Sequence, residues 1–378
     1  MTYLDYAATT PVDPQVAECI FDTMTKFFGN PSSTYHLGKE SKHLLLSSRQ
    51  KIKDLLGLPK ESQLYFTSGS TEAINWALMF QARKAKELGL GNHIVASSIE
   101  HSAVREVLLA LEKEDFEITW IYPQSDHQFS VDQFVDASNE NTIGWTAMAV
   151  NNELGSVLPI QDLGQQAKLM GLWFHVDATQ AVGYQKVDPE NMPCTSFCAS
   201  GHKFYAPKGI GFLVYQPWND AMTLKPMILG GGQEYKMRSG TENIPYIVGL
   251  AKALELMLED QRKSPNHYQI LSQYFFDQLT KAGIEFEQNG DIVHHNHRVH
   301  NIWIKGHLAS QMMIQFDLAG IYLSAGSACS AGSVKPSRIL KAYYPENEAL
   351  WRESLRVSFG RYTSEAQIDQ LVMALKKI

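Results

Sequence analysis

Phe197-Cys198-Ala199-Ser200-Gly201-His202-Lys203, followed by Pro207-Lys208-Gly209-Ile210-Gly211, sets a lysine just past a short apolar run and amid small residues. The run reads as a strand, and the small residues after it as a turn at the strand's end. An amine so placed is open to desolvation, which makes it a better nucleophile toward carbonyls. Taken alone, Lys203 also reads as an ordinary surface-loop lysine. Upstream, Leu172-Trp173-Phe174-His175-Val176 reads as a buried strand that ends in Asp177-Ala178-Thr179-Gln180.

Outward from these two strands, the chain alternates. Strands are expected at Leu64–Thr67, His93–Ser97, Phe116–Tyr122, Thr142–Val150, Leu172–Val176, Phe197–Ala199 and Ile210–Tyr215. Helical periodicity fills most of the intervals, near Glu72–Glu87, Ser102–Lys113, Val131–Ala137 and Ile160–Met170. This pattern predicts an α/β fold whose mainly parallel sheet is covered by helices on both faces. Asp13-Pro14 signals the start of a helix reaching about Phe27, and a second helix is expected from Leu37 to Leu56. After Gly230-Gly231-Gly232 a long helix is expected over Ile244–Arg262, with Ser264-Pro265-Asn266 as a hinge. The remainder reads as a smaller α+β unit with about three helices and strands at Asn301–Ile304 and Leu355–Phe359.

A chain of 378 residues with 44% hydrophobic residues buries a large core and exceeds one small domain. Charged residues at 19% and a mean hydropathy of -0.22 describe an ordinary globular protein. A net charge of -7 argues against broad nucleic-acid or acidic-membrane binding. No apolar run approaches the ~18 residues of a membrane span, and Met1-Thr2-Tyr3-Leu4-Asp5 does not open like a signal peptide. Four cysteines (Cys19, Cys194, Cys198 and Cys329) are too sparse for a disulfide framework, so a reducing cytoplasm is expected. Cys194 and Cys198 read as two thiols of the core or a loop, without a second metal-ligand pair. His294-His295-Asn296-His297-Arg298-Val299-His300 reads as a solvated turn, because no carboxylate or cysteine set accompanies it at ligand spacing.

The strand ends of a parallel sheet gather at one edge, where the ligand crevice of such folds lies. Asp177 at one strand end and Lys203 after the next match the pairing of a pyridoxal phosphate (PLP) site. There a carboxylate protonates the pyridine nitrogen and a lysine carries the aldehyde as a Schiff base. Ser68-Gly69-Ser70-Thr71-Glu72 opens a helix. It reads as a plain N-cap or as a phosphate cradle of backbone amides and hydroxyls, not as a Walker loop. Glu100-His101-Ser102 follows another strand, with His101 either structural or stacked on a flat ligand as a proton shuttle. Asn151-Asn152-Glu153 follows a third, with polar groups suited to a ring substituent.

The set resembles a known family: the cysteine desulfurases of the NifS/IscS group, PLP enzymes of the class V aminotransferase type. The resemblance runs from Tyr3-Leu4-Asp5-Tyr6-Ala7-Ala8-Thr9-Thr10-Pro11 and Asn30-Pro31-Ser32-Ser33 through the strand-end motifs above. It closes with Arg238-Ser239-Gly240-Thr241-Glu242-Asn243, Gly326-Ser327-Ala328-Cys329-Ser330 and Leu355-Arg356-Val357-Ser358. It implies the type I fold of PLP-dependent transferases, with a large domain over 15–255. Residues 1–14 and 256–378 would form a small domain carrying a mobile cysteine loop at about 324–335.

The resemblance also implies roles. Lys203 would hold PLP and move the substrate Cα proton. Asp177 would pair with the pyridine nitrogen, Gln180 with the ring oxygen, and His101 would stack on the ring and assist proton transfer. Asn152 would contact the ring oxygen and the substrate. Ser70, Thr71, Ser200 and His202 would hold the phosphate, with Thr241 reaching it from the partner subunit of an obligate homodimer. Arg356 would grip the substrate carboxylate, for which a guanidinium fork is suited.

Cys329 lies in Ser324-Ala325-Gly326-Ser327-Ala328-Cys329-Ser330-Ala331-Gly332-Ser333, a composition that neither helix nor strand favours. The resemblance makes it the thiolate that attacks the sulfur of L-cysteine and carries the persulfide to an acceptor protein. The long small-residue segment resembles the family branch with an extended mobile cysteine loop, and Ala325 stands where that branch often has serine. That acceptor would be an iron–sulfur scaffold, a tRNA-thiolating enzyme or part of a cofactor pathway. The alternatives are a selenocysteine lyase or an aminotransferase on the same fold, which would not need Cys329, and a non-catalytic assembly platform.

Overall fold

A computed structural model describes residues 1–217, 220–325 and 336–378. The expected cysteine loop, Cys329 included, lies almost wholly outside the described residues.

The N-terminal strand β1 (Thr2–Tyr3) is followed by the strands of the large sheet: β2 (Gln63–Thr67), β3 (His93–Ser97), β4 (Glu117–Ile121), β5 (Thr142–Met148), β6 (Trp173–Asp177), β7 (Ser196–Ser200) and β8 (Gly211–Tyr215). All seven expected strands therefore form, within two residues of their predicted ends. Their order across the sheet is β2-β8-β7-β6-β5-β3-β4. The pairs β4–β3, β3–β5, β5–β6 and β6–β7 are parallel. β8 is antiparallel to both of its neighbours, β7 and β2. Two reversals cancel, so β2 runs in the same sense as β7. Hence the C-terminal ends of β2, β3, β5, β6 and β7 all open at one edge.

Side chains of these strands alternate between two cores, as the pleat requires, with Met148 at the end of β5 joining the same core as Ala147. Val95, Ala147, Phe174, Val176, Phe197 and Phe212 enter one. Ile94, Ala96, Trp173, Cys198, Leu213 and Tyr215 enter the other. With both faces buried, these strands read as continuous apolar runs. The helices Ser70–Glu87 and Ser102–Glu112 cover the second face. The helices Pro14–Lys26, His36–Leu55, Ile160–Leu169 and Ile244–Lys263 contribute to the first. Asp13 caps the first helix by accepting from Gln15 N–H at 2.8 Å, with Pro14 at the first helical position. Gly144 is required by close approach, since a Cβ there would lie 2.0 Å from the Trp173 ring.

A second unit is built on β9 (Glu287–Gln288), β10 (Val299–Trp303), β11 (Ile321–Tyr322) and β12 (Ser354–Ser358). β10 is central and antiparallel to β9 and β12, while β1 pairs in parallel with β11. Its core joins Leu4 to Leu271, Phe275, Ile302, Phe316, Leu355 and Ile368. Among the described residues it holds five helices rather than about three. The unforeseen pair, Arg338–Tyr343 and Glu348–Glu353, have six residues each, too few for a helical period to register.

The expected division at 255/256 falls inside the continuous helix Ile244–Lys263, whose Leu256 and Met257 pack in the large core. We propose the division after Lys263, at Ser264-Pro265-Asn266, where that helix ends and the next begins at His267. Ile339, Leu340, Tyr343 and Leu350 return to the large core, so the two units are packed together. Among the described residues no helix is long and apolar enough to cross a membrane.

Candidate active site

The shared edge of the sheet opens into a cleft of about 770 Å³, the largest of the cavities described. Ten of the expected site residues line it: Ser70, Thr71, His101, Asn152, Asp177, Gln180, Ser200, His202, Lys203 and Arg356. Thr241 does not; it is exposed on the segment before Ile244. Cys329 is outside the described residues.

Lys203 ends a short 3-10 turn, Gly201–Lys203, directly after β7. Its Nζ donates to the carbonyls of Ala7 (2.6 Å) and Ala8 (2.8 Å). The N-terminal segment is fixed in turn. Asp5 bridges to Ser358, Ala7 N–H donates to Ser358 Oγ, and Thr10 N–H donates to the carbonyl of His202. Residues from both chain termini thus hold the lysine.

Asp177 closes β6 and is 4% exposed. Its Oδ1 accepts from Thr179 N–H at 3.0 Å, with Cys198 Sγ 4.0 Å away. Gln180 Nε2 donates to the carbonyl of Ala7 at 3.0 Å, and its Oε1 accepts from Arg298 Nη2. His101 caps the helix Ser102–Glu112 by accepting from Ala103 N–H at Nδ1, 3.1 Å. That bond leaves the proton of a neutral ring on Nε2, and burial pushes the ring's pKa down. Burial and the charge of Lys203 lower His202 to about 4, so it too is neutral at pH 7, with Nδ1 3.1 Å from Thr9 Oγ1.

The helix Ser70–Glu87 presents its N-terminus, with Ser70 and Thr71, to the cleft. Glu72 ties this turn down, accepting from Ser68 N–H (2.7 Å) and from Arg238 Nε (2.8 Å). The turn lies directly on the start of β8. A Cβ on Gly211 would fall 2.7 Å from Gly69 Cα, so only glycine allows this approach.

Arg356, on β12, is 1% exposed. Its Nη2 pairs with Asp5 Oδ1 at 2.7 Å and its Nη1 donates to the carbonyl of Asn152 at 3.0 Å. Asp5 Oδ2 accepts from Ser324 Oγ at 2.8 Å. Among the described residues, of its five N–H donors Nε–H is buried without a partner, and one hydrogen on each terminal nitrogen is also left over. The guanidinium is therefore pre-aimed by one carboxylate with enough donors remaining for another.

Sequence reasoning assigned no role to Glu100 or Arg338 and read Glu153 only as part of a polar segment; all three line the cleft. Arg338 donates to the carbonyls of Ser98 and Glu100, and Ser337 Oγ donates to Glu153 Oε2 at 2.5 Å. Their partners lie far apart in the chain, so no local pattern reveals them. Glu100 is fully buried; its Oε1 accepts from Ser97 Oγ and from Met148 N–H (2.7 Å), while Oε2 has no partner among the described residues. Burial, with a smaller push from Asp177, raises its pKa from 4.5 to about 8. Between these two values the folded chain keeps a proton that the unfolded chain has lost. The group's contribution to stability is complete below pH 4.5 and is lost as pH rises through about 8. Glu100→Gln, which cannot ionise, is expected to flatten this decline. Melting scans should show the variant gaining on wild type steadily from pH 4.5 to 8; parallel curves would contradict the assignment.

The histidine cluster departs from the expected solvated turn. His294 is exposed, but His295 and His300 are buried and stack at 4.8 Å between ring centroids. His295 Nε2 lies 3.0 Å from the carbonyl of Leu154, a contact made available by the tertiary fold. Among the described residues no cluster of three or more His, Cys, Asp or Glu is placed to hold a metal ion. Cys198 is buried and Cys194 packs against the large core, and burial pushes both thiols up.

Residues 2–371 match the model of the family described as Aminotransferase class-V. The chain is 39% identical over 366 residues to a putative cysteine desulfurase IscS 1 of Bacillus subtilis, covering 97% of this chain and 95% of that one. It is 36% identical over 376 residues to a cysteine desulfurase IscS of Methanosarcina thermophila, covering 100% and 91%. A solved NifS-like protein superposes with a TM-score of 0.90 at 27% identity, covering 100% of this chain and 99% of the other. A second, SspA in complex with cysteine, gives 0.81 at 31% identity over 96% and 100%. With its parallel-sheet cleft and full-length matches of this kind, the chain belongs to the class-V aminotransferase family, among the cysteine desulfurases of the IscS and NifS type.

Proposed function

We propose that this cysteine desulfurase converts L-cysteine to L-alanine with PLP held on Lys203, and passes the sulfur through a persulfide on Cys329 to an acceptor protein. One observation carries the reading. An amine fixed by two carbonyls, a buried strand-end carboxylate and a helix N-terminus converge on one cleft. The donor set fits PLP. Ser70, Thr71, Ser200 and His202, at the positive end of a helix dipole, suit a phosphate. Thr179 Oγ1, in the same lining, is a buried hydroxyl without an oxygen or nitrogen partner among the described residues.

When bound, PLP supplies a protonated pyridine ring that withdraws electrons from the substrate Cα. Asp177 holds the proton at the ring nitrogen, and the second Nε2 hydrogen of Gln180 serves the ring oxygen. His101, neutral and bearing its proton on Nε2, covers the ring face and assists proton transfer. Arg356 and Asn152 bind and orient the substrate, the guanidinium using the donors Asp5 leaves over. Lys203 takes the Cα proton. The Cys329 thiolate then attacks the substrate sulfur. An S–S bond forms, the Cβ–S bond breaks with its electron pair kept on carbon, one proton completes the methyl group, and Lys203 returns a proton to Cα to complete alanine.

A homodimer fits the exterior. Met227, Leu229 and Tyr235 are exposed on the segment that leads to Thr241. Buried Glu234 anchors that segment to Arg49 (2.6 and 2.8 Å) and to Phe66 N–H (2.9 Å). A second copy covering this face would bring Thr241 to its partner's phosphate. The acceptor is an iron–sulfur scaffold, a tRNA-thiolation enzyme or part of a cofactor pathway.

The test is an anaerobic incubation of the protein with L-cysteine and PLP, quantifying alanine and recording intact mass. Wild type is expected to yield alanine and gain one sulfur; Cys329→Ala is expected to lose both. Full alanine turnover by Cys329→Ala would overturn the persulfide route and favour a lyase on the same fold.

A further inference from the structure

Arg298 is a buried guanidinium with no carboxylate paired to it among the described residues. It is 1% exposed, and among the described residues no ion pair includes it. Nη2 donates to Gln180 Oε1, and the guanidinium carbon lies 4.0 Å from the centroid of the Tyr184 ring. Nε and Nη1 are buried without partners. Burial pushes the phenols of Tyr184 and Tyr268 up, so neither neighbour supplies an anion. An unpaired buried charge is strongly unfavourable, and each such group calls for a reason.

Two routes lead from Arg298 to Lys203. Gln180 Oε1 rests on Arg298 while its Nε2 donates to the carbonyl of Ala7, which also accepts from Lys203 Nζ. Tyr184, under the guanidinium, donates its Oη to the carbonyl of Lys203 at 2.7 Å. Gln180 lines the cleft and Arg298 does not, so the charge stands behind the amide.

An amide whose oxygen accepts from a guanidinium is polarised, and its N–H becomes a stronger donor. At the ring oxygen, such a donor draws charge away and weakens that oxygen's hold on a proton at the neighbouring Lys203 nitrogen. The buried cation itself also disfavours a second positive charge there. Both effects act in one direction. We propose that Arg298 is a positioning residue that acts through Gln180 to keep the cofactor-bound Lys203 nitrogen ready to release its proton near neutral pH. This rests on the PLP reading above. The other charged or titratable groups lining the same cleft are Asp177, Glu100 and His101 at the sheet edge, Glu153 beside Asn152, His202 and Lys208 near the lysine's own turn, Arg338, and Arg356 from β12. Beyond Tyr184 and Tyr268 stand Arg361 and Asp260. All of these are unchanged by a substitution at Arg298.

The experiment is a pH titration of the absorption bands of PLP-loaded protein, for wild type, Arg298→Met, Arg298→Gln and Arg298→Lys. Arg298→Met leaves no orphaned carboxylate behind, so it is expected to fold. Its band midpoint should rise by about one pH unit or more. Arg298→Gln, which keeps a donor for Gln180 without the charge, should rise in the same direction and serves if the Met variant does not fold. Arg298→Lys, retaining the charge, should stay closer to wild type. A charge-free variant that titrates at the wild-type pH overturns the inference and leaves the PLP reading intact. A wild-type protein that takes up no PLP overturns both.

Discussion

Lys203→Ala is expected to lower alanine formation by about 10³-fold or more, because the covalent attachment and the Cα proton carrier vanish together. The fold should survive. The carbonyls of Ala7 and Ala8 lose an ammonium donor, but the segment stays tied down: the Ala7 carbonyl still accepts from Gln180 Nε2, Ala7 N–H still donates to Ser358 Oγ, and Ala8 N–H still donates to the carbonyl of Asp5. PLP should still enter the cradle of Ser70, Thr71, Ser200 and His202, but weakly and reversibly. Reduction with borohydride followed by intact mass separates the cases: wild type should retain the cofactor's mass and the variant should not. Turnover by the variant within tenfold of wild type would remove Lys203 from the chemistry.

Asp177→Asn is expected to cost about 10²–10³-fold in kcat with a much smaller change in KM. Asparagine has the same shape and keeps an oxygen for Thr179 N–H, the 3.0 Å contact that sets the orientation of the side chain. What disappears is the negative charge in a site that is 4% exposed, where charge acts through a low dielectric. A ring nitrogen without that counter-charge loses its proton, and the electron withdrawal that stabilises the Cα carbanion goes with it. Substrate carboxylate binding, assigned to Arg356 on the other unit, is untouched, which is why KM should hold. A variant with unchanged kcat would mean that another group protonates the ring. An equal loss through KM alone would point to a binding role.

Much of this was open to reading in the linear chain. Period-2 alternation and two-sided burial made the strands from Gln63 to Tyr215 appear as apolar runs, and the helices between them kept their 3.6 period. Once the sheet was taken as parallel, Ser70, His101, Asn152, Asp177 and Lys203 fell at one edge by topology alone. The short helix at Arg338 gave no such signal, whereas Ser264-Pro265-Asn266 announced the end of the long helix that stops at Lys263.

The electrostatic setting of the site belongs to another level. Asp5 meets Arg356 across 351 positions, Lys203 meets Ala7 across 196, and Arg298 meets Gln180 across 118. No periodicity encodes such pairs, because side-chain partners at these separations are chosen by packing rather than by local preference. Sequence by itself determined which chemical groups the chain carries and which strand each one ends. Only the tertiary structure decided which are buried, which are paired, and therefore which hold a charge: a neutral His101, a protonated Glu100 and an unpaired Arg298. Burial and pairing set the free energy of each charged form, and both are properties of the folded neighbourhood.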